Sequence, residues 1–250
     1  LTLALAGYQP TAAEIAAFET DASPDAFAKV VDRLLASPRY GEHFARHWMD
    51  LVRYADTHGS EGDPSIPQAW RYRDYLIRAF NADVPYDQFV REQLAGDLLK
   101  SPRINTSEKL NESALGTGHF RMIEHGYQPV DTVDEQVRNV DNQIDVVSKT
   151  FLGLTVSCAR CHDHKFDAIS QADFTAFYGI FASARPGQVT VDSPALLDQH
   201  RDRLTELKQA IRSELSAQWI RQAKDLPTAL ERIRASSTER VRLEDQLAKI

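Results

Sequence analysis

Apolar side chains recur every three or four positions along most of the chain, and no stretch alternates in the two-residue rhythm of a half-buried strand. A chain patterned this way can bury its apolar faces only by packing helix on helix. The expected fold is therefore all-α, an irregular multi-helix bundle followed by a helical hairpin or coiled-coil arm.

Local signals divide this pattern into elements. Thr11-Ala-Ala-Glu14 has the form of a capping box, and the first helix is expected to begin there. Ser23-Pro24 reads as an N-cap with proline at the first helical position, and Phe27, Val30, Val31, Leu34 and Leu35 then share one face that should be core. Tyr40, Phe44, Trp48, Leu51, Val52 and Ala55 extend a third helix, which Gly59, Gly62 and Pro64 end. Further helices are predicted over about 68–81 and 85–100. The segment Ser101–Asn111 reads as a polar, mobile loop. Val133, Val137, Val140, Ile144, Val147, Phe151 and Leu154 step by fours and threes, which predicts one long helix running almost to the first cysteine. Phe174, Phe177, Tyr178 and Phe181 mark another helix. Composition then shifts towards charge after Gly187, and Leu197, Leu204, Leu207, Ile211 and Leu215 recur near heptad spacing, with Pro227 dividing two helices. This gives a helical domain over 1–187 and a charged helical spacer or coiled-coil arm over 188–250.

The two cysteines of the chain lie three apart, with a histidine directly after the second: Cys158-Ala-Arg-Cys161-His162. Random placement of these residue types would give this arrangement about 3 times in 10,000, so chance explains it poorly. The pattern is that of covalent haem attachment, in which both thiols add to the haem vinyl groups and the adjacent histidine is held beneath the iron. Cys158 and Cys161 are thus expected to carry one haem c as thioethers, with His162 as proximal axial ligand. Phe151, Leu154, Val156, Phe166 and Ile169 flank the motif and could give the ring apolar cover. Two other readings stand beside this one: a structural zinc held by Cys158, Cys161 and His162 or His164, and a redox dithiol.

Charge narrows the partners. With 36 acidic and 29 basic residues the formal charge is −7, which disfavours nucleic acid and anionic membrane surfaces. No apolar run is long enough to span a bilayer, the longest candidate being Leu1–Gly7. The chain begins with Leu rather than Met and reads as a fragment, so location has to be argued from chemistry.

Several motifs in order resemble one family: Val31-Asp-Arg-Leu-Leu-Ala-Ser-Pro-Arg-Tyr-Gly41, Arg46-His-Trp-Met-Asp50, Arg53-Tyr-Ala-Asp56, Trp70-Arg-Tyr-Arg-Asp-Tyr75, Pro85-Tyr-Asp-Gln-Phe89, Glu92-Gln-Leu-Ala-Gly-Asp97, and Leu152 through Asp167 around the cysteines. Over roughly residues 1–186 the chain resembles domain-of-unknown-function family 1549, secreted cytochrome-like proteins of planctomycetes and relatives. The resemblance implies a modular, exported protein, of which this chain is an internal piece, and it implies no substrate. The chain departs from the family pattern at Ala168, where proline is common, and at His119, where an apolar residue is usual.

The remaining candidates concern the haem surroundings. His47, in the Arg-His-Trp motif, is the first choice for a distal ligand, with His58, His119, Met122 and His125 as alternatives. His164 is read as an outer group that bonds a propionate or orients a neighbour. Arg53, Arg71, Arg73 and Arg160 could pair with propionates. Asp50, Asp56, Asp74 and Asp163 are expected to join such arginines in a buried ion network. The functional expectation is electron transfer with a donor or acceptor domain or protein, in the periplasm or at the cell surface, where thioether formation takes place. The alternatives are a haem-dependent oxidoreductase acting on an extracellular substrate and a noncatalytic module with structural zinc.

Overall fold

The computed structural model describes residues 1–59, 62–123, 131–184, 187–224 and 226–247. Two compact units divide the chain, Leu1–Ser193 and Pro194–Ile250. The fold is all-α apart from one small hairpin.

The first unit opens with a short helix, α1 (Thr2–Ala6), which Gly7 ends in the left-handed conformation at φ 75°. The helices therefore start before Thr11, because the apolar run Leu1–Gly7 folds as a turn of helix. The expected capping box at Thr11 is present and starts α2 (Ala12–Thr20): the Thr11 amide donates to Glu14 at 2.8 Å, and the Thr11 hydroxyl accepts from the Glu14 amide. The next helix, α3 (Ala26–Leu35), begins later than Ser23-Pro24 suggests. Asp21 explains the delay, since its carboxylate takes both the amide and the hydroxyl of Ser23 and holds that residue in the preceding turn. Of the predicted core stripe on α3 only Leu34 is buried, whereas Phe27 is 61% exposed.

Ser37 caps α4 (Pro38–Leu51), with Pro38 at the first position. This helix packs on α5 (Ala69–Asn81) so closely that a Cβ on Gly41 would stand 2.4 Å from the Ile77 carbonyl oxygen. Next come α6 (Tyr86–Ala95) and a 3-10 turn, Gly96–Leu98. The main core gathers Ala45, Val52, Tyr72, Tyr75, Leu76, Phe89 and Leu115, with Trp48 packed against it.

Residues 101–111 are an ordered hairpin rather than a loose loop. Strand β1 (Ile104–Asn105) pairs antiparallel with β2 (Leu110–Asn111), and the Asn105 carboxamide accepts from the Ser107 hydroxyl and the Glu108 amide across the turn. Beyond the hairpin lie α7 (Glu112–Leu115) and a 3-10 segment, Gly116–Arg121. A later stretch returns to this hairpin: Asn111 donates to the Val191 carbonyl at 2.7 Å, Ser193 donates to that of Lys109 at 2.7 Å, and Leu110 bridges Asp192. These bonds carry the first unit past the composition break at Gly187, out to Ser193.

The predicted long helix ends early. α8 (Thr132–Val147) passes into a π-helical turn, Ser148–Leu152, which Gly153 closes at φ 66°. Only part of its apolar stripe is buried: Val140, Ile144 and Val147 lie inside, and Val133 is 68% exposed. After the cysteine motif comes α9 (Gln171–Ser183), opened by a Ser170/Asp173 capping box.

The second unit holds α10 (Pro194–Asp198), α11 (Arg201–Ala223) and α12 (Leu226–Leu247). Pro227 sits in the first turn of α12, where a missing amide hydrogen costs nothing. Leu204, Leu207, Ile211 and Leu215 are exposed. Among the described residues no helix is long and apolar enough to cross a membrane.

Candidate functional site

The motif lies on a 3-10 turn, Val156–Arg160, with Cys161 as its C-terminal cap. In a 3-10 turn side chains three apart eclipse one another. That period sorts the segment into faces. Val156 and Ala159 point inwards and join Val140, Ile144 and Phe174 in a second hydrophobic cluster between α8 and α9. Cys158 and Cys161, also three apart, share another face, and both are free, exposed thiols. The spacing that marks the motif in the sequence thus sets the two cysteine positions on one side of a turn whose opposite side is anchored in core.

Polar bonds fix the turn to its neighbours. Ser157 donates to Asp145 at 2.5 Å, Lys149 pairs with the same carboxylate at 2.7 Å, and Arg160 pairs with Asp141 one helical turn away. Burial pushes the Asp145 carboxyl up, but Lys149 and Ser157 outweigh it and hold the group below its usual range. The Asp141 carboxylate, with a smaller contribution from Cys161, raises Arg160 above its ordinary value. On the C-terminal side, Gln171 donates its amide to Asp163 at 2.8 Å and its side-chain nitrogen to the Arg160 carbonyl at 3.1 Å.

The two histidines of the loop play different parts. The His162 ring is exposed, and its Nδ1 lies 2.7 Å from the Asp163 carbonyl oxygen. A carbonyl can only accept, so Nδ1 carries the proton and the Nε2 lone pair is left for a metal; this is the arrangement in which histidine ligands are usually oriented. His164 is enclosed, with its side chain 6% exposed. Its Nδ1 accepts from the amides of Phe166 and Asp167 at 3.2 and 2.8 Å, so Nε2 bears the proton and donates to the Thr155 hydroxyl at 2.9 Å. Both nitrogens bond groups of the loop itself, in keeping with a ring that orients its neighbours.

Apolar cover is uneven. Val156 is buried, Phe151, Leu154 and Ile169 are half-buried, and Phe166 is 84% exposed beside the motif, with the Lys165 ammonium 5.2 Å from its ring centre.

The other candidates fall elsewhere. The His47 Nε2 faces that of His43. His119 is completely buried and donates from Nε2 to the Gln93 carbonyl at 3.0 Å; burial drops its pKa to about 4. Met122 is buried, His58 bonds the Ile123 carbonyl oxygen, and His125 lies outside the described residues. Arg53 donates to the His119 and Met122 carbonyls, Arg71 stacks on Trp70, and Arg73 pairs with its neighbour Asp74. Of the proposed propionate partners, only Arg160 stands at the turn. Among the described residues no three His, Cys, Asp or Glu side chains are gathered to hold a metal ion, so a closed four-ligand zinc set is not assembled among them.

The buried ion network is real but is built from other residues. Arg103 grips Glu92 through Nε and Nη2 at 3.1 and 3.0 Å, and Arg78 grips Glu112 in the same manner at 2.6 and 3.0 Å. Tyr75, Gln88 and Ser113 complete Glu92, and Asn105 completes Glu112. Both carboxylates are fully enclosed. Their spacing in the sequence is unremarkable because the hairpin and α7 bring Glu112 to Arg78 only in three dimensions.

These observations define a helical protein with a surface-anchored Cys-x-x-Cys-His turn. The model of the family described as protein of unknown function (DUF1549), PSCyt2, matches residues 1–186, and the chain belongs to that family. No curated protein and no solved structure matches the chain.

Proposed function

We propose that the chain is a single-haem c-type cytochrome domain that transfers electrons to or from another redox domain or protein. The carrying observation is the 3-10 turn that aligns Cys158 and Cys161 on one exposed face while the Nδ1–H of His162 is bonded to the Asp163 carbonyl. Cys158 and Cys161 would hold the group as thioethers and His162 Nε2 would be the proximal ligand. When bound, haem supplies a one-electron iron couple. The chain's own residues orient His162 through the Asp163 carbonyl and set Arg160 beside the second thiol, and the exposed Phe166 would offer the bound group apolar cover. Exposure of the site suits exchange of electrons with a partner over a short path. Because thioethers form outside the bacterial cytoplasm, the proposal also places the protein in the periplasm or at the cell surface.

The test is expression with a cytochrome c maturation system, followed by a pyridine haemochrome spectrum and intact mass. Wild type is expected to gain the mass of one haem, and the Cys158→Ala, Cys161→Ala double variant none. Wild-type protein that carries stoichiometric zinc and no haem would overturn the proposal.

A further inference from the structure

His43 and His47 lie one turn apart on the same face of α4. Their Nε2 atoms face each other at 3.4 Å, with ring centres 4.7 Å apart and planes inclined by 80°. The contact lies within hydrogen-bond reach but is long for one, the usual donor–acceptor distance being about 2.7–3.2 Å, so the pair is held only weakly by a shared proton. The separation matches the edge of a tetrahedron: ligand nitrogens about 2.1 Å from a zinc-type ion stand about 3.4 Å from each other.

The pair is also preset. A Cβ on Gly7 would come within 2.6 Å of the His43 Nδ1, so the left-handed turn closing α1 lies directly against that edge of the ring. Phe44 meets both imidazoles edge-on, with ring centres 5.8 and 6.1 Å away. With Gly7 against the Nδ1 side of His43, its Nε2 is the nitrogen turned towards the exposed His47.

We propose that His43 and His47 form a two-imidazole site for a divalent transition-metal cation of the zinc type, bound through both Nε2 atoms. No third His, Cys, Asp or Glu joins them among the described residues, so solvent fills the remaining positions and the site is open on its outer side. Imidazole nitrogen favours zinc, copper or nickel over magnesium and calcium, which seek oxygen. Bound metal would hold His43 in place against Gly7 and so brace the end of α1 on α4.

The site is independent of the cysteine motif, and the test keeps it so. Zinc chloride is titrated calorimetrically into the full chain carrying Cys158→Ser and Cys161→Ser, which removes competing thiols whether or not haem is ever attached. One zinc per chain is expected, with a rise in Tm by linkage. His47→Asn should weaken binding at least about tenfold, since even outer partners of a metal ligand are worth ten- to a hundredfold in affinity. His47 is exposed, so this variant should keep its fold, which circular dichroism checks, and His43→Asn should reproduce the loss. Zinc affinity unchanged by His47→Asn, no zinc bound by the parent, or an equal response to magnesium chloride would each overturn the site.

Discussion

His119 shows how one side chain couples the core to pH. Burial lowers its pKa from 6.5 to about 4, so the folded protein keeps it neutral where the unfolded chain would protonate it. The stability due to the neutral ring is complete above pH 6.5 and is lost as pH falls towards 4, a total on the order of 3 kcal/mol. Denaturant midpoints measured between pH 7 and 4.5 should fall steadily in wild type and much less in His119→Gln, which retains a donor for the Gln93 carbonyl without titrating. His164 works through a different cause, locking the loop from both ring nitrogens. His164→Ala removes three hydrogen bonds at an exposed loop, where water can replace the lost partner, and should cost about 1 kcal/mol in thermal or denaturant unfolding. The cysteine motif was legible because its chemistry is local and its spacing survives in any fold. The different fates of His162 and His164 were not, because which nitrogen is spent depends on loop amides that the sequence does not align.

At the scale of elements, periodicity located the helices but not their ends. The stripe from Val133 to Leu154 keeps its step through the π-helical turn, so nothing in the pattern announces that α8 stops at Val147. Gly153 was the available signal, since a left-handed residue commonly follows a helix end. Burial was harder still: Leu34 and Phe27 share a stripe on α3, yet only Leu34 meets packed neighbours. The ion pairs Glu92–Arg103 and Glu112–Arg78 were beyond reach because they join residues 11 and 34 apart, at no helical spacing, that only the turns after α6 and the hairpin bring together. Close backbone approach leads to a further prediction. Gly41→Ala places a methyl against the Ile77 carbonyl and the Asn81 side chain, so α4 and α5 must separate. A loss of about 1–3 kcal/mol in unfolding free energy is expected, with helicity unchanged at low temperature.

For the molecule as a whole, the division between Ser193 and Pro194 states which residues the first unit needs. A chain ending at Ser193 should unfold cooperatively with the Tm of that unit in the full protein. One ending at Gly187 loses the bonds from Asn111 and to Lys109, along with the packing of Val191, and should melt several degrees lower. Differential scanning calorimetry of the two truncations checks this. The position of the cysteine turn also bears on biogenesis. The two exposed thiols stand outside both hydrophobic clusters. On the proposed reading of the motif, an attachment enzyme would meet both thiols on an exposed turn whose opposite face is already packed, and would not have to open the core to reach them.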